Sequence, residues 1–235
     1  RYQSLSRGLG DVYKRQVEDD GGAGRTRGVL SEALSTAPPE NAAVLLGAGG
    51  ETSHWRHEKS PKEPLRWDFS DGVLTIAPGT GSIVTKEDFS DFRLHLEFNI
   101  NAPADGAEPD GNSGVYLQRR YELQILDPAA KAKRAFRCGA IYGETAPVSA
   151  AAKGAGEWQS YDLVFRSARW RGEEKTENAR ITAYLNGVVI HDDVPITGKT
   201  GSGRDESPEP QPLKLQDHGN AVSYRNIWIV PLALD

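Results

Sequence analysis

The clearest pattern along the chain is an alternation of apolar and polar residues with a period of two. In residues 92–98, FRLHLEF, four apolar residues fall on one side, and an arginine, a histidine and a glutamate fall on the other. Because side chains alternate between the two faces of a β-strand, this segment is predicted to form a half-buried antiparallel strand. Residues 180–185 repeat the pattern, and Asn186-Gly187 then predicts a type I′ hairpin turn into a strand over residues 188–191.

Shorter apolar runs bounded by turn-forming residues predict further strands. These runs are residues 44–46, 72–76, 114–118, 121–126, 158–165, 213–216 and 223–230. About ten short strands, with one weak helical signal at Val29 to Leu34, predict an all-β fold, an antiparallel two-sheet sandwich or jelly roll. Residues 197–212 are rich in Gly, Ser, Pro and acidic residues. They are predicted to form a long surface loop at the rim of a binding face.

The beginning of the chain differs in character from the rest. The hexapeptide DVYKRQ at residues 11–16 is what one frame of a common transposase sequencing adapter encodes. Residues 1–16 are therefore interpreted as adapter read-through and excluded from the fold. Residues 17–41 show little hydrophobic periodicity and are interpreted as a flexible linker. A jelly-roll domain is predicted over residues 42–235.

Charge and composition exclude several classes of function. The 235 residues contain 28 Lys and Arg against 33 Asp and Glu, a net charge of −5, and without residues 1–16 the balance is 24 against 32, a net charge of −8. Nucleic acid is not expected as a partner, because phosphate backbones require a basic surface. No apolar run is long enough to span a membrane. The single cysteine, Cys138, cannot form an internal disulfide or a cysteine-rich zinc site, and no cofactor or metal site is predicted.

The densest group of polar and aromatic residues is GNSGVYLQRRYELQILD, residues 111–127. Alternation places Tyr116 on one face of the first strand, and Glu122 and Gln124 on one face of the second, with apolar residues between them. A sugar would suit such a surface, since its hydroxyls need several planar hydrogen-bonding groups and its C–H faces favour aromatic rings. An ordinary exposed sheet face would show the same pattern, and this group alone does not choose between the two interpretations.

Two smaller groups could contribute to the same site. In LQDHGN, residues 215–220, alternation puts Gln216 and His218 on one face and Asp217 on the other. A histidine there could transfer a proton near neutral pH, although a lone histidine in a polar turn is more often structural. In CGAIYG, residues 138–143, the small residues would allow a ligand to approach the backbone, and Tyr142 could stack on it.

These groups combine with other segments into a resemblance to a known family. The further segments are EWQSYDLVF at 157–165, ARITAYLNGVVIHDDV at 179–194 and PLKLQDHGNAVSYRNIWI at 212–229. In this order, the chain from about Ala42 to Leu232 resembles the 3-keto-disaccharide hydrolase domain family. The resemblance implies a concanavalin A-like jelly roll, action on oxidised sugars, and a periplasmic, secreted or lipid-anchored bacterial protein. The chain departs from the family at residues 118–120, where members often have a Gly beside the Arg, which puts the local turn geometry in question.

The activity that the resemblance implies is cleavage of the glycosidic bond of 3-keto-disaccharides and other 3-keto-glycosides. A ketone at C3 acidifies the C2 proton, so a base can remove that proton and the C1 oxygen can leave by elimination, after which water adds back. Glu122 is the candidate catalytic base or acid, and His218 is its candidate counterpart. The candidate substrate-binding residues are Asn112, Tyr116, Arg120, Gln124, Asp127, Tyr142 and Gln216.

Two alternatives stay open at this level. A non-catalytic, lectin-like carbohydrate-binding module could use the same scaffold, and it would be favoured if Glu122 and His218 lay apart on separate faces. A conventional retaining glycosidase would need two carboxyl groups about 5–5.5 Å apart. The strand that begins at Tyr121 places one acid, Glu122, on the polar face, so a retaining glycosidase would need its second acid from another strand.

Overall fold

The computed structural model of this protein describes residues 36–47, 49, 52–102 and 111–234. Its strands are β1 (Ala43–Leu46), β2 (Trp55–His57), β3 (Asp68–Ser70), β4 (Val73–Thr75), β5 (Ile83–Thr85), β6 (Asp91–Ile100), β7 (Ser113–Leu117), β8 (Tyr121–Ile125), β9 (Trp158–Arg166), β10 (Arg169–Arg171), β11 (Glu174–Glu177), β12 (Ala179–Leu185), β13 (Val188–Ile196), β14 (Lys214–Leu215) and β15 (Val222–Leu232). A turn of 3-10 helix spans Arg134–Phe136. The weak helical signal predicted at Val29 to Leu34 lies outside the described residues. Within the described ranges, no helix has the length and hydrophobicity needed to cross a bilayer.

Antiparallel pairing joins most of these strands into two sheets. The large sheet has eight strands in the order β13-β12-β9-β6-β15-β4-β3, with β1 also paired to β15, and the small sheet has five in the order β2-β5-β14-β7-β8. Strands β10 and β11 form a separate hairpin. Some neighbours come from distant parts of the chain, such as β6 beside β15 and β7 beside β14, as in a jelly roll. The predicted all-β antiparallel sandwich is confirmed.

The apolar faces of the two sheets pack against each other. Phe165 of β9 lies 5.6 Å from Tyr121 of β8, ring centre to ring centre, so this contact joins the large sheet to the small one. Buried apolar side chains form a continuous core around it, including Leu94 and Leu163 from the large sheet and Leu123 from the small sheet. Burial of this apolar surface stabilises the sandwich and fixes the orientation of the polar face of the small sheet.

The polar side of β6 is also buried, so the prediction of a half-buried strand is wrong there. His95 is fully buried, its Nδ1 lies 2.8 Å from Asp162 Oδ1, and its ring stacks on Trp228 with ring centres 5.1 Å apart. The carbonyl of Thr36 accepts the indole N–H of Trp228 at 3.2 Å, so the segment before β1 lies against this face. Alternation identifies the two faces of a strand, but it carries no information about what covers them.

Two hairpin turns use left-handed backbone conformations. Asn186 and Gly187 have φ angles of 53° and 76°, so the predicted type I′ geometry is confirmed. Gln118 and Arg119, between β7 and β8, have φ angles of 51° and 54° although neither is glycine. A left-handed conformation costs a non-glycine residue on the order of 1 kcal/mol.

Side-chain contacts hold the turn at 118 and 119 in this conformation. The Gln118 amide donates a 2.8 Å hydrogen bond to the carbonyl of Phe89, and the Arg119 guanidinium donates at 2.7 Å to Glu58. These tertiary contacts therefore offset the free-energy cost of a left-handed turn that contains no glycine. The turn leads directly into β8 and so sets where Glu122 lies.

Candidate active site

Polar side chains line the face of the small sheet that is turned away from the core, here called the outer face, in two rows across the strands. In the first row, Glu122 of β8 lies opposite Tyr116 of β7, and Tyr116 lies opposite Lys214 of β14. The second row consists of Gln124, Gly114 and Gln216. Because directly opposed residues of neighbouring strands share a face, the fold brings residues from 114 to 216 together.

Glu122 is the most shielded acid of this face. Its side chain is 3% exposed, and its Oε2 accepts a 2.7 Å hydrogen bond from the Tyr116 hydroxyl. Burial raises the pKa of Glu122 to about 7, against the opposing effects of the Tyr116 hydrogen bond and the Lys214 charge. A carboxyl group with this pKa exists in both protonation states near neutral pH, as a proton-transfer group requires.

Tyr116 is the centre of a hydrogen-bond network around this carboxyl group. Its hydroxyl accepts hydrogen bonds from the Gln216 amide at 3.2 Å and from the backbone N–H of Ser202 at 3.3 Å. Burial and the neighbouring charge of Glu122 raise the pKa of Tyr116, so the phenol keeps its proton. The Lys214 ammonium lies 4.6 Å from the centre of the Tyr116 ring, within cation–π distance.

Lys214 and Arg119 share one carboxylate, that of Glu58. The Lys214 ammonium lies 3.1 Å from Glu58 Oε2, and the Arg119 guanidinium lies 2.7 Å from Glu58 Oε1. Burial alone would raise the pKa of Glu58, but the hydrogen bonds and charges of these two cations outweigh it and lower the pKa. Glu58 therefore stays ionised and orients Lys214 over the Tyr116 ring.

Glycines lie on both sides of the Glu122 carboxyl group. A Cβ atom at Gly114 would lie 2.4 Å from Glu122 Oε1, and a Cβ at Gly201 would lie 2.2 Å from Glu122 Oε2 and 3.0 Å from the Tyr116 hydroxyl. Any larger residue at either position would have to displace the carboxyl group or the backbone. These glycines allow two backbone segments to approach the candidate catalytic group closely.

The segment over residues 197–212 forms one wall of the site, in agreement with its predicted place beside a binding face. The Thr200 hydroxyl accepts the N–H of Glu122 at 2.7 Å, and the N–H of Arg204 donates to the Arg119 carbonyl at 2.8 Å. Between these anchors, the N–H of Gly203 donates to the Thr200 carbonyl at 2.8 Å and closes a tight turn. The tip of this turn, Gly201 and Ser202, covers Glu122.

A cleft of about 880 Å³ opens beside this turn. This volume is within the range of small-molecule binding sites. Two residues of the cleft wall, Ser202 and Gln216, form hydrogen bonds with the Tyr116 hydroxyl. It is lined by His57, Glu58, Lys59, Ser60, Arg66, Gly79, Thr80, Gly81, Ser82, Arg119, Ser202, Arg204, Lys214, Gln216 and Asp217. Glu122 and Tyr116 do not line this cleft themselves, because Ser202 and Gln216 lie between the cleft and the Tyr116 hydroxyl.

Several buried polar atoms of this region have no hydrogen-bond partner among the described residues. They are Gln124 Oε1, Gln216 Oε1 and His57 Nε2. Buried polar groups are rarely left unsatisfied, so these atoms suit a ligand that brings donors and acceptors of its own. In the described part of the chain, no group of three or more His, Cys, Asp or Glu side chains is placed to hold a metal ion.

The structure brings most of the predicted site residues together on the outer face. Tyr142 donates its backbone N–H to the Glu122 carbonyl at 3.0 Å, and residues 139–142 extend the small sheet beside β8. The Asn112 side-chain oxygen lies 3.4 Å from the Gln124 amide nitrogen. Hydrogen bonds thus link Glu122, Tyr116, Gln216 and the backbone of Tyr142, and Gln124 and Asn112 form a separate pair on the same face.

The other predicted site residues have different surroundings. His218 is exposed in the bend after β14, and the contacts of Glu122 in the described residues do not include it. Asp127 accepts the N–H of Ala129 at 2.8 Å within a turn. The Arg120 guanidinium is engaged with the 197–212 segment, since it donates to the Ser207 hydroxyl at 2.6 Å and to the Glu209 carbonyl at 3.1 Å.

Four residues of this site were not predicted from the sequence: Lys214, Ser202, Glu58 and Arg119. Lys214 could have been found, because it lies two residues before Gln216 and so shares its face of the strand. Ser202 comes from a segment without periodicity, and its position depends on the anchors at Thr200 and Arg204. No local signal in the sequence specifies such a contact.

Comparison with known proteins places this geometry in a family context. A candidate glycosyl hydrolase from Parabacteroides distasonis is 30% identical, with a TM-score of 0.75 over 90% of this chain and 99% of its own. Another from the same organism is 26% identical, with a TM-score of 0.55 over 81% and 99% of the two chains. A third is 19% identical with a TM-score of 0.63 over 83% and 95%, a likeness of fold alone. No match was found among curated proteins.

The sequence model of one domain family covers most of the chain. The model of the 3-keto-alpha-glucoside-1,2-lyase-like domain matches residues 42–230, which include both sheets except the last two residues of β15, and all of the candidate site residues. This agrees with the resemblance identified from the sequence segments, and the family and the structural relatives support a carbohydrate-active function. The chain therefore belongs to the family of 3-keto-alpha-glucoside-1,2-lyase-like domains.

Proposed function

We propose that this domain cleaves the glycosidic bond of 3-keto-glycosides, beginning with removal of the C2 proton by Glu122. The observation that carries the proposal is the buried Glu122 carboxyl group, which bonds to the Tyr116 hydroxyl and has a pKa of about 7. A proton acidified by an adjacent ketone needs a base of near-neutral pKa that is held in place. General base catalysis of this kind contributes roughly 10²- to 10⁴-fold to rate.

The proposed reaction transfers one proton from C2 to the leaving oxygen. The Glu122 carboxylate takes the C2 proton, and the electron pair left on C2 is delocalised onto the C3 oxygen as an enolate. When the C3 carbonyl re-forms, a C1–C2 double bond forms and the bond from C1 to the glycosidic oxygen breaks. The Tyr116 hydroxyl gives its proton to the departing oxygen and receives the proton held by Glu122. Addition of water across the new double bond completes hydrolysis.

Positive charge near the reacting atoms favours the enolate. Lys214 lies 4.6 Å from the Tyr116 ring centre and is held there by Glu58. A fixed cation stabilises charge that develops on the C3 oxygen more effectively than mobile water does. The amide groups of Gln124 and Gln216 are proposed to hold the sugar hydroxyls, because each has a buried oxygen without a partner among the described residues.

Substrate access requires the turn at Gly201 and Ser202 to move. This tip covers Glu122, while its anchors at Thr200 and Arg204 bond to the backbone of Glu122 and of Arg119. The tip can shift while the anchors stay bonded, and Ser202 would then exchange its contact with Tyr116 for a contact with the sugar. Closure over a substrate would exclude water from the enolate.

The experiment that tests the proposal is incubation of the full chain with trehalose and with 3-keto-trehalose, following released glucose and a 2-hydroxyglucal intermediate. Release from the keto sugar alone is the expected result. Glu122→Gln should lower kcat by roughly 10²- to 10⁴-fold, while the control Glu173→Gln, at an exposed turn between β10 and β11, should keep the full rate. A Glu122→Gln variant with the wild-type rate would remove Glu122 from the mechanism.

The exposed position of His218 favours one competing function. Without a histidine beside Glu122, the outer face could serve a lectin-like module that binds sugars without cleaving them. The same incubation separates the two functions, since the module would bind one of the sugars tightly and release glucose from neither. Release from unoxidised trehalose would indicate an ordinary glycosidase and contradict both.

A further inference from the structure

The cleft beside Glu122 has the opposite charge to the protein as a whole. The chain carries a net charge of −5, yet the cleft is lined by five cationic side chains and two acidic ones. The cations are Lys59, Arg66, Arg119, Arg204 and Lys214, and the acids are Glu58 and Asp217. A site lined by like charges attracts ligands of the other sign and raises their local concentration.

Both acidic side chains of the cleft are already engaged within the protein. Glu58 bridges Arg119 and Lys214. Asp217 accepts the backbone N–H groups of Gly81 at 2.8 Å and Gly219 at 2.9 Å, and so closes a turn. Glu58 therefore pairs with two of the five cations, and the positive charge of the remaining three, Lys59, Arg66 and Arg204, exceeds the negative charge of the cleft.

Two of the remaining cations approach the cleft from different sides, Lys59 from the edge at β2 and Arg204 from the turn between β7 and β8. Lys59 follows Glu58 directly, beyond the end of β2, while Glu122 lies on β8 at the other end of the small sheet. Arg204 lies next to Arg119, because its N–H bonds to the Arg119 carbonyl. Lys59 and Arg204 are exposed and have no ion pair among the described residues, and Arg66 pairs with Glu63, which does not line the cleft.

We infer that the substrate is an anionic 3-keto-glycoside whose leaving group carries a carboxylate or a phosphate ester, bound by Lys59 and Arg204. This inference rests on the proposed cleavage reaction and names the class of its substrate. With the reacting sugar at Glu122 and Tyr116, the leaving group extends across β14 and β5 towards β2. Its negative charge then lies against the cations of the cleft and away from the carboxylate of Glu122.

The test compares three substrates that differ in the charge of the leaving sugar. They are 3-keto-trehalose, the same compound with a phosphate on O6 of the unoxidised glucose, and the compound with a carboxylate at that C6. We expect kcat/KM to be about three- to tenfold higher for at least one anionic substrate than for 3-keto-trehalose. This is the gain in binding that one or a few exposed charge pairs supply. This preference should weaken as ionic strength rises, and comparison of the two anionic substrates distinguishes the phosphate from the carboxylate.

Substitutions in the cleft give a second readout. Lys59→Gln and Arg204→Gln should each lower the ratio of kcat/KM for the preferred anionic substrate to that for 3-keto-trehalose. Lys131→Gln, at an exposed site outside the cleft, should leave this ratio unchanged. Equal kcat/KM for all three substrates, or a ratio that neither cleft variant alters, would overturn the inference and leave the cleavage reaction standing.

Failure of the cleavage reaction itself would look different. In that case none of the three substrates would be consumed, and calorimetric titration of the full chain with the same compounds would decide the charge preference. Tighter binding of an anionic compound would support the cationic cleft as its site. Equal binding of all three compounds, or the absence of binding by any of them, would overturn the inference.

Discussion

The hydroxyl of Tyr116 donates a 2.7 Å hydrogen bond to Oε2 of Glu122, its direct neighbour across the β7–β8 pair. This bond favours the ionised carboxylate, whereas burial of the same group favours the protonated form. The pKa of Glu122 near 7 is the balance of the two effects and of the Lys214 charge. The contact therefore sets both the proton affinity of the candidate base and the route by which its proton can reach the leaving group.

Replacing Tyr116 with phenylalanine should move the pH dependence of catalysis upward. The substitution removes the hydrogen bond that lowers the pKa of Glu122, so the rising limb of kcat/KM, near pH 7 in the wild type, should shift to higher pH. Loss of the proton donor should also lower kcat. Tyr184→Phe, on the large sheet, is the matched control, and a Tyr116→Phe limb that stays in place would contradict the assigned role.

Alanine at position 201 should disturb the site more than alanine at a comparable glycine elsewhere. Gly201 has a φ of 50° and lies against Glu122, while Gly156 has a φ of 85° with nothing within 4 Å of its Cβ position. Both substitutions carry a backbone cost of about 1–2 kcal/mol. Gly201→Ala should also displace the turn, expose Glu122 and shift the rising limb of the pH profile to lower pH. Identical effects of the two variants in thermal unfolding and in pH profile would count against the contact.

The stability of the protein should depend on the protonation of Glu122. The folded pKa of about 7 lies above the ordinary value of 4.5, so the stability present below pH 4.5 is lost as the pH rises to 7. Glu122→Gln escapes this loss because an amide stays neutral. At pH 8 the variant should therefore be more stable than the wild type by about 1–3 kcal/mol, with little difference at pH 4. Denaturant unfolding at the two pH values measures this, and a pH-independent difference would show that Glu122 ionises normally.

His95 should have the opposite dependence on pH. Burial alone would lower its pKa, but hydrogen bonds and charges from Asp162 and Glu97 outweigh burial and raise it from 6.5 to about 9. Its contribution to stability is fully present below pH 6.5 and is lost as the pH rises through 9. His95→Gln should thus destabilise the fold most at pH 6, and the difference from the wild type should shrink by about 2 kcal/mol by pH 9.5. A constant difference across this range would mean that His95 is uncharged when folded.

His218→Ala should leave the pH profile of kcat/KM unchanged. The side chain is exposed beyond the end of β14, and Tyr116 already bonds to the carboxyl group that His218 would have served. A variant profile that loses a limb present in the wild type would restore His218 to the mechanism as the counterpart of Glu122.

Much of the site could be found from the sequence because it lies on regular strands. The alternation of residues 121–125 puts Glu122 and Gln124 on one face, and the structure places both on the outer face of β8. The same argument puts Gln216 on the polar face of its own strand, and the pairing of β14 with β7 then brings its amide to 3.2 Å from the Tyr116 hydroxyl. For Asp127 and His218 the pattern is less informative, since both lie beyond the ends of their strands, where backbone direction no longer follows the period of two.

The amino-acid sequence by itself determined the all-β fold, the type I′ turn at Asn186-Gly187 and the shared face of Glu122 and Gln124, because these depend on local periodicity and turn chemistry. Only the tertiary structure decided that β14 lies beside β7, and that Lys214, Ser202 and Gly201 therefore meet Tyr116 and Glu122. Such contacts join residues about a hundred positions apart, and they arise from the order of strands and the path of a loop without periodicity. Burial and electrostatic environment, which move the pKa of Glu122 to about 7, follow from that assembly and have no local signature.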